Sequence, residues 1–273
     1  MQGKPFLPIL TTVSRAIRTA LALPLLVGNA LQGASGPACG NRPVLDWGYW
    51  GQGAPNNWGT LSPEFDLCAT GISQSPIDLN NLTEDPSAPE LIFNYGGNAA
   101  EVNHNGKVAH VEYAEGSTLT VGTQRYHLAS MHIHVHAEHQ VEGQLFPAEM
   151  HLVHRKEGGF LGVVGQIYRL GEPDPVVQQL IDAYPEPGQA IKSGFTLDAS
   201  RFVPGDMGYY HYDGSLTTPP CTEGVDWYVL REIRTVSQEQ VNRIAALHNG
   251  FNHRPIQARN GRVVRYKRLR PRQ

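Results

Sequence analysis

The sequence predicts a mainly β protein, in which a single domain is built on a large, mostly antiparallel, twisted sheet with a few short peripheral helices. Glycine and proline are abundant, with 29 and 20 residues in a chain of 273, which favours many turns between short strands over long helices. From residue 91 onward, short alternating runs follow one another, separated by Gly, Asn and Asp. No internal repeat or low-complexity tract divides the chain, so we expect one domain over residues 39–273.

Each predicted element follows from a local pattern. The runs expected to form strands are LIFNY (91–95), KVAHVEY (107–113), LTVGTQRYHL (119–128), SMHIHV (130–135), AEMHLVHR (148–155) and LGVVGQIY (161–168). Before them, we expect WGYWGQGAPNNW (47–58) to be an irregular segment held by its rings, and GISQSPIDL (71–79) to be a turn that enters a strand. Two helices are expected, over Asp174–Tyr184 and Ser237–Asn249. The second begins with a capping arrangement, because Ser237 stands three residues before Gln240.

The first 38 residues have the pattern of an export signal. They contain three scattered cations and no acids, then an apolar run over residues 20–27, then several small residues. The apolar run is too short to span a bilayer. We therefore expect a periplasmic or extracellular protein with no stable membrane span in its mature form. The cleavage point stays open, and a disordered or mistranslated leader is the alternative.

The chain contains three cysteines, and export to an oxidising compartment would permit disulfide bonds between them. Cys39 lies just after the leader in a segment rich in Gly and Pro. We therefore expect Cys68 to pair with Cys221 and Cys39 to remain free. A lipid-bearing Cys39 is disfavoured, because no Leu stands three residues before it.

Charge is unevenly distributed along the chain. Residues 39–258 hold twelve Lys and Arg against all twenty-five Asp and Glu, whereas residues 259–273 hold seven Lys and Arg and no acids. An acidic body argues against nucleic-acid binding, which requires a basic face. The basic segment from about residue 259 is expected to be a solvated tail, with contact to an anionic surface as the alternative.

Two histidine-bearing runs predict a metal site. Alternate residues of an extended chain share a face and rise about 3.3 Å each, so His132 and His134 project from one face with roots about 7 Å apart. A third ligand must then come from a neighbouring strand. We favour His151 over His154, because Glu149 shares the face of His151 and metal-bound imidazoles often contact a carboxylate. Three histidines with one open position form an arrangement that zinc uses for catalysis.

Around these histidines the chain resembles the α-class carbonic anhydrases, over roughly residues 45–267. The order and number of short motifs carry the resemblance: WGY (47–49), SQSPIDL (73–79), HIH with EH after it (132–139), AEMHLVH (148–154), SLTTPPC (215–221) and NHRP (252–255). The resemblance implies a Zn²⁺-dependent lyase. It would interconvert carbon dioxide with bicarbonate and a proton, by attack of zinc-bound hydroxide.

The resemblance also implies roles for individual residues. His132, His134 and His151 match the zinc ligands. Thr217 matches the threonine that accepts a hydrogen bond from the hydroxide, and Glu138 matches the carboxylate that accepts from this threonine. Residues that match supports of the ligands are Glu149, Ser130 and Asn252. The apolar wall where carbon dioxide rests in the family is matched by Val153, Val163, Leu216 and Trp227. Thr218 matches the active-site residue that follows Thr217. Cys68 and Cys221 match the disulfide of secreted members, in agreement with the pairing above.

The chain departs from the family at the proton relay. Lys107 stands where the proton-shuttling histidine would be, and a lysine ammonium stays protonated at neutral pH and relays poorly. His104 and His110 lie nearby in sequence, and we favour His110 as the shuttle because it can still reach the cavity rim. Turnover is therefore expected to depend strongly on external buffer.

Further departures concern the ligands and their surroundings. Ser130 replaces the glutamine that usually supports the first ligand. The His132 ring is therefore expected to form its hydrogen bond with water, and zinc is expected to bind less tightly. His136, which alternation places on the face of His132 and His134, has no assigned role, and neither has His253.

Two other functions are alternatives to a carbon dioxide lyase. A non-catalytic binding module on the same fold is disfavoured, because all three histidines are present together with Thr217 and Glu138. A zinc hydrolase acting on esters remains open, since such activity can accompany hydration. The sequence carries no information on the oligomeric state.

Overall fold

The structure is a computed structural model, and it describes residues 46–96, 99–156, 158–159, 161–185, 191–193, 197–203, 205 and 207–268. The predicted export signal, Cys39 and the last five residues lie outside the described residues. Everything described falls in one compact unit. Within it, no helix has the length and apolar character needed to cross a membrane.

Fifteen strands and four α-helices occur in the described residues. The strands are β1 Asp78–Leu79, β2 Thr83–Glu84, β3 Leu91–Asn94, β4 Ala99–His104, β5 Ala109–Tyr113, β6 Thr118–Val121, β7 Gln124–His134, β8 Gln140–Val141, β9 Ala148–Arg155, β10 Leu161–Leu170, β11 Ile191–Ser193, β12 Tyr209–Ser215, β13 Glu223–Leu230, β14 Arg234–Val236 and β15 Arg265–Lys267. The α-helices are α1 Trp58–Leu61, α2 Leu67–Thr70, α3 Pro175–Ala183 and α4 Gln238–Leu247. Short 3-10 turns occupy Gly51–Gly53, Pro55–Asn57, Pro63–Phe65 and Ala199–Phe202.

Thirteen of these strands form one large sheet. Its main path runs β11-β4-β5-β7-β9-β10-β13-β12-β15-β2, while β6 pairs with β7, β3 with β6 and β14 with β10. Three of its pairings are parallel, namely β10 with β13, β10 with β14 and β15 with β2. The others are antiparallel. The mainly β fold with a mostly antiparallel central sheet is therefore confirmed.

Strand β7, which carries His132 and His134, differs from its predicted bounds. The run LTVGTQRYHL contains a turn at Gly122, whose φ of +59° suits glycine, so the run divides into β6 and the start of β7. The rest of β7 continues through SMHIHV to His134. Because β7 ends there, alternation does not extend to His136. Its ring is exposed and packs against Phe251 and His253, which corrects its predicted place on the ligand face.

The two predicted helices are present, each with a side-chain cap. The Asp174 carboxylate accepts from the backbone N–H groups of Val176 and Val177 at the start of α3, and Ser237 forms a capping box with Gln240 at the start of α4. The Gln240 amide also donates to the Asp174 carbonyl at 2.8 Å and accepts from its N–H at 2.9 Å. These bonds join the N-termini of the two helices.

The sheet separates two apolar clusters. The larger includes Leu152 and Val164 and the buried faces of α3 and α4. The smaller includes Val163 and Trp227, whose side chains point to the opposite face of β10 and β13. The predicted disulfide between Cys68 and Cys221 is present, with a Cα–Cα distance of 5.1 Å.

The basic segment from residue 259 is packed against the domain as far as it is described, which corrects the expectation of a solvated tail. Strand β15 pairs with β12, and Val264 is fully buried. Arg259 donates to the Asn80 carbonyl at 2.8 Å and Arg262 to the Gln74 carbonyl at 2.7 Å. The guanidinium groups thus satisfy backbone carbonyls of distant loops, a role that local charge does not reveal.

Acid is expected to unfold this protein through its buried histidines. Burial lowers the pKa of His154 to about 4, from an ordinary 6.5. The native state therefore binds fewer protons than the unfolded chain, so this contribution to stability is complete above pH 6.5 and is lost as the pH falls toward 4. It amounts to at most about 3 kcal/mol. In urea unfolding at pH 7 and pH 4.5, His154→Gln should show a smaller loss of stability than the wild-type protein, and an equal loss would contradict this.

Candidate metal centre

Three imidazoles converge where β7 meets β9. The two strands pair antiparallel with His132 opposite His151, and His134 lies two residues further along the same face. Ring centroids are 4.9 Å apart for His132 and His134, 5.2 Å for His132 and His151, and 4.6 Å for His134 and His151. One nitrogen from each ring lies within 4.8 Å of the others, and all three residues are buried. His154, on the other face of β9, bonds to Tyr95 and to the Gly162 carbonyl.

Asn252 fixes the orientation of His134. Its carbonyl lies 2.6 Å from Nδ1 of His134, so this nitrogen donates and Nε2 is left with a lone pair. The Asn252 side chain accepts from Val135 N at 2.8 Å and donates to the Ile133 carbonyl at 3.1 Å. The backbone on both sides of His134 is thereby held.

Glu149 fixes the orientation of the His151 ring. Its Oε1 lies 3.1 Å from Nε2 of His151 and 2.7 Å from Nδ1 of His139. Its Oε2 accepts from the backbone N–H groups of Glu138 and His139. Nε2 of His151 faces Glu149, so Nδ1 is the nitrogen that can face a metal ion.

Glu138 lies between the histidines and Thr217. Its Oε2 is 3.6 Å from Nε2 of His134 and 3.8 Å from Nδ1 of His151, and its Oε1 accepts from Arg254 N at 2.8 Å. Burial raises the pKa of Glu138 to about 7, against the opposing effects of His151 and of a hydrogen bond from Thr217. A nearby dication would favour the ionised carboxylate.

The chemistry of the three histidines suits a metal ion. Burial lowers the pKa of His134 to about 4, and it also lowers the pKa values of His132 and His151. All three rings are therefore neutral at pH 7, as metal ligation requires. Nε2 of His134 is buried without a hydrogen-bond partner, an arrangement that is costly unless an ion is bound. A site of three neutral imidazoles fits zinc.

Comparisons with known proteins agree with this geometry. The family model described as "Eukaryotic-type carbonic anhydrase" matches residues 53–268. A carbonic anhydrase of Neisseria gonorrhoeae is 39% identical over 233 residues, which cover 84% of this chain and 90% of the relative. This chain belongs to the family. Members of the α-class carbonic anhydrases use zinc to interconvert carbon dioxide and bicarbonate, so the predicted family and enzyme class are confirmed.

Solved α-class carbonic anhydrases share the fold. A hyperthermostable carbonic anhydrase from a hydrothermal vent chimney superposes with a TM-score of 0.78 at 35% identity, covering 81% of this chain and 100% of its own. The α-carbonic anhydrase of Thermovibrio ammonificans, solved with the inhibitor sulfanilamide, superposes with a TM-score of 0.76 at 36% identity and covers 81% and 98%. The coverage shows that the described domain corresponds to whole carbonic anhydrase domains.

An apolar wall adjoins the histidines. Val153, Val163 and Trp227 stand opposite one another on β9, β10 and β13, and the Trp227 ring lies 4.8 Å from that of His151. Leu216 packs against the same cluster. The indole N–H of Trp227 donates to the Ser215 carbonyl at 3.0 Å, which fixes the segment leading to Thr217. Thr218 follows and is half-buried. The five residues predicted to form the substrate site thus lie on adjacent strands and the following loop.

Neither candidate for the proton relay is well suited to the task. The Lys107 ammonium lies 2.7 Å from Asp46 and 4.7 Å from the Trp47 ring centroid, so it is occupied at the surface. His110 lines a cavity of about 530 Å³ together with Ser130, and its ring lies 4.8 Å from that of His132. Burial lowers the pKa of His110 to about 4, whereas a relay at neutral pH works best with a pKa near 7.

A buried polar network that the sequence did not predict lies behind the three histidines. His139 bonds to Glu149 and, at 2.6 Å, to the Tyr212 hydroxyl, which donates to Ser75. Arg254, only 1% exposed, donates to the Ser75 carbonyl at 2.8 Å. The available signal was that His139 belongs to the EH pair and Arg254 to the NHRP motif.

Ser130→Gln is expected to tighten zinc binding. Nδ1 of His132 is buried without a hydrogen-bond partner, and a longer side chain at position 130 can supply an acceptor, because the adjacent cavity has room. Restored support of a ligand is worth roughly 10-fold or more in affinity. Competition with a chromophoric chelator measures the change. Ser130→Ala is the control and should leave affinity unaltered. Equal affinities for all three proteins would contradict the prediction.

Proposed function

We propose that this chain binds zinc through His132, His134 and His151 and catalyses the reversible hydration of carbon dioxide to bicarbonate and a proton. The observation that carries the proposal is the buried, neutral triad with its three nitrogens within 4.8 Å, in a chain of the carbonic anhydrase family. Zinc held by neutral ligands lowers the pKa of bound water to about 7, for which carbonic anhydrase is the established example.

Thr217 and Glu138 orient the attacking water in this proposal. An ionised carboxylate only accepts hydrogen bonds, so the Thr217 hydroxyl donates a hydrogen bond to Glu138. The Thr217 oxygen then accepts a hydrogen bond from the attacking water, which directs a lone pair of the water oxygen toward the substrate. Arg254 N donates to Oε1 of Glu138 at 2.8 Å and so fixes the carboxylate end of the relay.

The apolar wall selects the substrate. Val163 and Trp227 are 2% and 1% exposed and offer carbon dioxide an apolar surface, while Val153 and Leu216 remain partly open. A small uncharged molecule gains from this surface, whereas a charged product does not and leaves more readily. Thr218 lies beside the wall, where it can contact the product.

Stopped-flow hydration with metal analysis tests the proposal. We expect about one zinc per chain, loss of hydration after chelation and recovery on adding zinc. Unchanged hydration in the metal-free protein would refute it. Ester hydrolysis that requires zinc, in a protein without hydration, would favour the zinc hydrolase, and absence of both activities would favour a binding module.

We also propose export to the periplasm or the extracellular space. The disulfide between Cys68 and Cys221 supports this proposal, since such bonds persist in oxidising compartments. Fractionation followed by N-terminal sequencing tests it. An intact Met1 in a cytosolic fraction would contradict export.

Lys107→His is expected to relieve a dependence on buffer. With the Lys107 ammonium paired to Asp46 and the pKa of His110 near 4, proton release falls to solution buffers. Turnover of the wild-type protein should rise steeply with buffer concentration at constant ionic strength, and that of the variant should rise less. Lys107→Gln is the control and should behave like the wild type. A wild-type turnover that is equal at low and high buffer would contradict the prediction.

A further inference from the structure

A second group of metal-ligating side chains lies on the face of the main sheet opposite the triad. Strands β12 and β13 pair antiparallel with Asp213 opposite Asp226, and His211 lies two residues before Asp213. The three side chains therefore share one face. Trp227, the neighbour of Asp226 in sequence, points the other way and contacts His151. The two groups are thus on opposite sides of β13.

The donor atoms of this group lie close together, but His211 and Asp226 form no hydrogen bond with each other. One atom from each of His211, Asp213 and Asp226 lies within 4.8 Å of the others. Nε2 of His211 is 3.8 Å from Oδ1 of Asp226, which is too long for a hydrogen bond. This nitrogen is shielded from solvent and has no hydrogen-bond partner. An unpartnered imidazole nitrogen that faces carboxylates is free to ligate a cation.

Neighbouring tyrosines hold two of the three ligands in place. The Tyr228 ring stacks on His211 at 4.9 Å between centroids and 21° between planes, which fixes the imidazole plane. The Tyr126 hydroxyl donates to Oδ2 of Asp226 at 2.9 Å. Oδ1 is therefore the oxygen left to face His211. Outer contacts of this kind orient ligands in metal sites.

Electrostatics also favour a cation here. The contact with His211 and the hydrogen bond from Tyr126 lower the pKa of Asp226, and Lys156 adds a smaller effect in the same direction. Asp226 is therefore ionised at neutral pH. Asp213 stands directly opposite Asp226 on the paired strand, so a divalent ion between the two carboxylates would be attracted by both.

We propose that His211, Asp213 and Asp226 bind a divalent transition-metal ion of the Zn²⁺ and Co²⁺ class at a second site, separate from the triad. One imidazole and two carboxylates suit these ions, whereas Mg²⁺ and Ca²⁺ prefer oxygen ligands alone. Asp213 is exposed, so water completes the coordination and the ion exchanges with solvent. The bound ion clamps β12, which leads into the segment of Thr217, to β13, which carries Trp227.

Calorimetric titration of Zn²⁺ into protein that already contains one zinc per chain tests the proposal. The wild-type protein should bind a second equivalent and unfold at a higher temperature in its presence. Asp213→Asn and His211→Gln should bind no second equivalent and show no thermal shift, while hydrating carbon dioxide at the wild-type rate. His127→Gln and Glu64→Gln remove an exposed histidine and an exposed acid elsewhere, and they should behave like the wild type.

The outcomes separate this site from the triad. A wild-type protein that takes up no second equivalent would overturn the proposal, as would an undiminished second equivalent in both Asp213→Asn and His211→Gln. Loss of the second equivalent in the two control variants would also overturn it, because binding would then be non-specific. A His134→Ala protein should still bind zinc at the second site. Loss of zinc binding at the second site can therefore be distinguished from loss of zinc binding at the triad. Mg²⁺ in place of Zn²⁺ should give no thermal shift.

Discussion

His134→Ala is expected to abolish zinc binding and carbon dioxide hydration. The substitution removes the middle ligand of the triad, and it leaves the Asn252 carbonyl without the donor that now lies 2.6 Å away. Loss of a contact that merely supports a ligand costs up to about 100-fold in affinity, so loss of a ligand should cost more. Metal analysis after dialysis and stopped-flow hydration measure both effects.

A neighbouring histidine provides the matched control. His136 lies two residues further along the chain, but its exposed ring packs against Phe251, at 4.4 Å between ring centroids, and away from the triad. His136→Ala should retain zinc and hydration close to wild-type levels. His134→Gln, which preserves more volume, distinguishes loss of the ligand from loss of folding. Full zinc content in both His134 variants would refute the assigned triad, and a zinc-free His136→Ala would assign that histidine a role that the structure does not give it.

Local alternation was sufficient to predict the triad, because two ligands belong to one strand and the third to its neighbour. The choice between His151 and His154 required one further fact, namely that Glu149 shares the face of His151 on β9. The choice depended on the face of one strand and not on the pairing between strands, which is why sequence could support it. Likewise, the caps at Asp174 and Ser237 are local and mark where the predicted helices begin.

The predictions that the structure corrects depend on where a strand ends or on residues that are distant in sequence. Alternation alone cannot show that β7 ends at His134, so His136 was placed on the ligand face. The turn at Gly122 was hidden within an apparently continuous run. Arg259 and Arg262 bind carbonyls more than 170 residues away in the chain, as their separations of 179 and 188 show. A count of charges carries no information about such partners.

The departures at the relay and at the first ligand have a common consequence. Lys107 is paired with Asp46 at the surface, and Nδ1 of His132 lacks a partner beside Ser130. Neither change removes a ligand, Thr217 or Glu138. We therefore expect the chemical step to be retained, while proton release and metal retention depend more on the surrounding solution than in family members with the usual residues.

Thr217→Val is expected to lower hydration by roughly 100-fold or more while zinc content stays constant. Valine preserves the shape of threonine but cannot donate to Glu138 or accept from the attacking water, and loss of one preorganised hydrogen bond at a reacting oxygen costs about 100- to 1,000-fold in rate. Thr217→Ser keeps the hydroxyl and should recover most of the activity, which a purely structural role in packing would not predict. The rate should fall in kcat and in kcat/KM alike, because the bond aligns the reaction and does not bind carbon dioxide. Equal rates for the valine and serine variants, or zinc loss in parallel with activity, would show that Thr217 does not orient the attack.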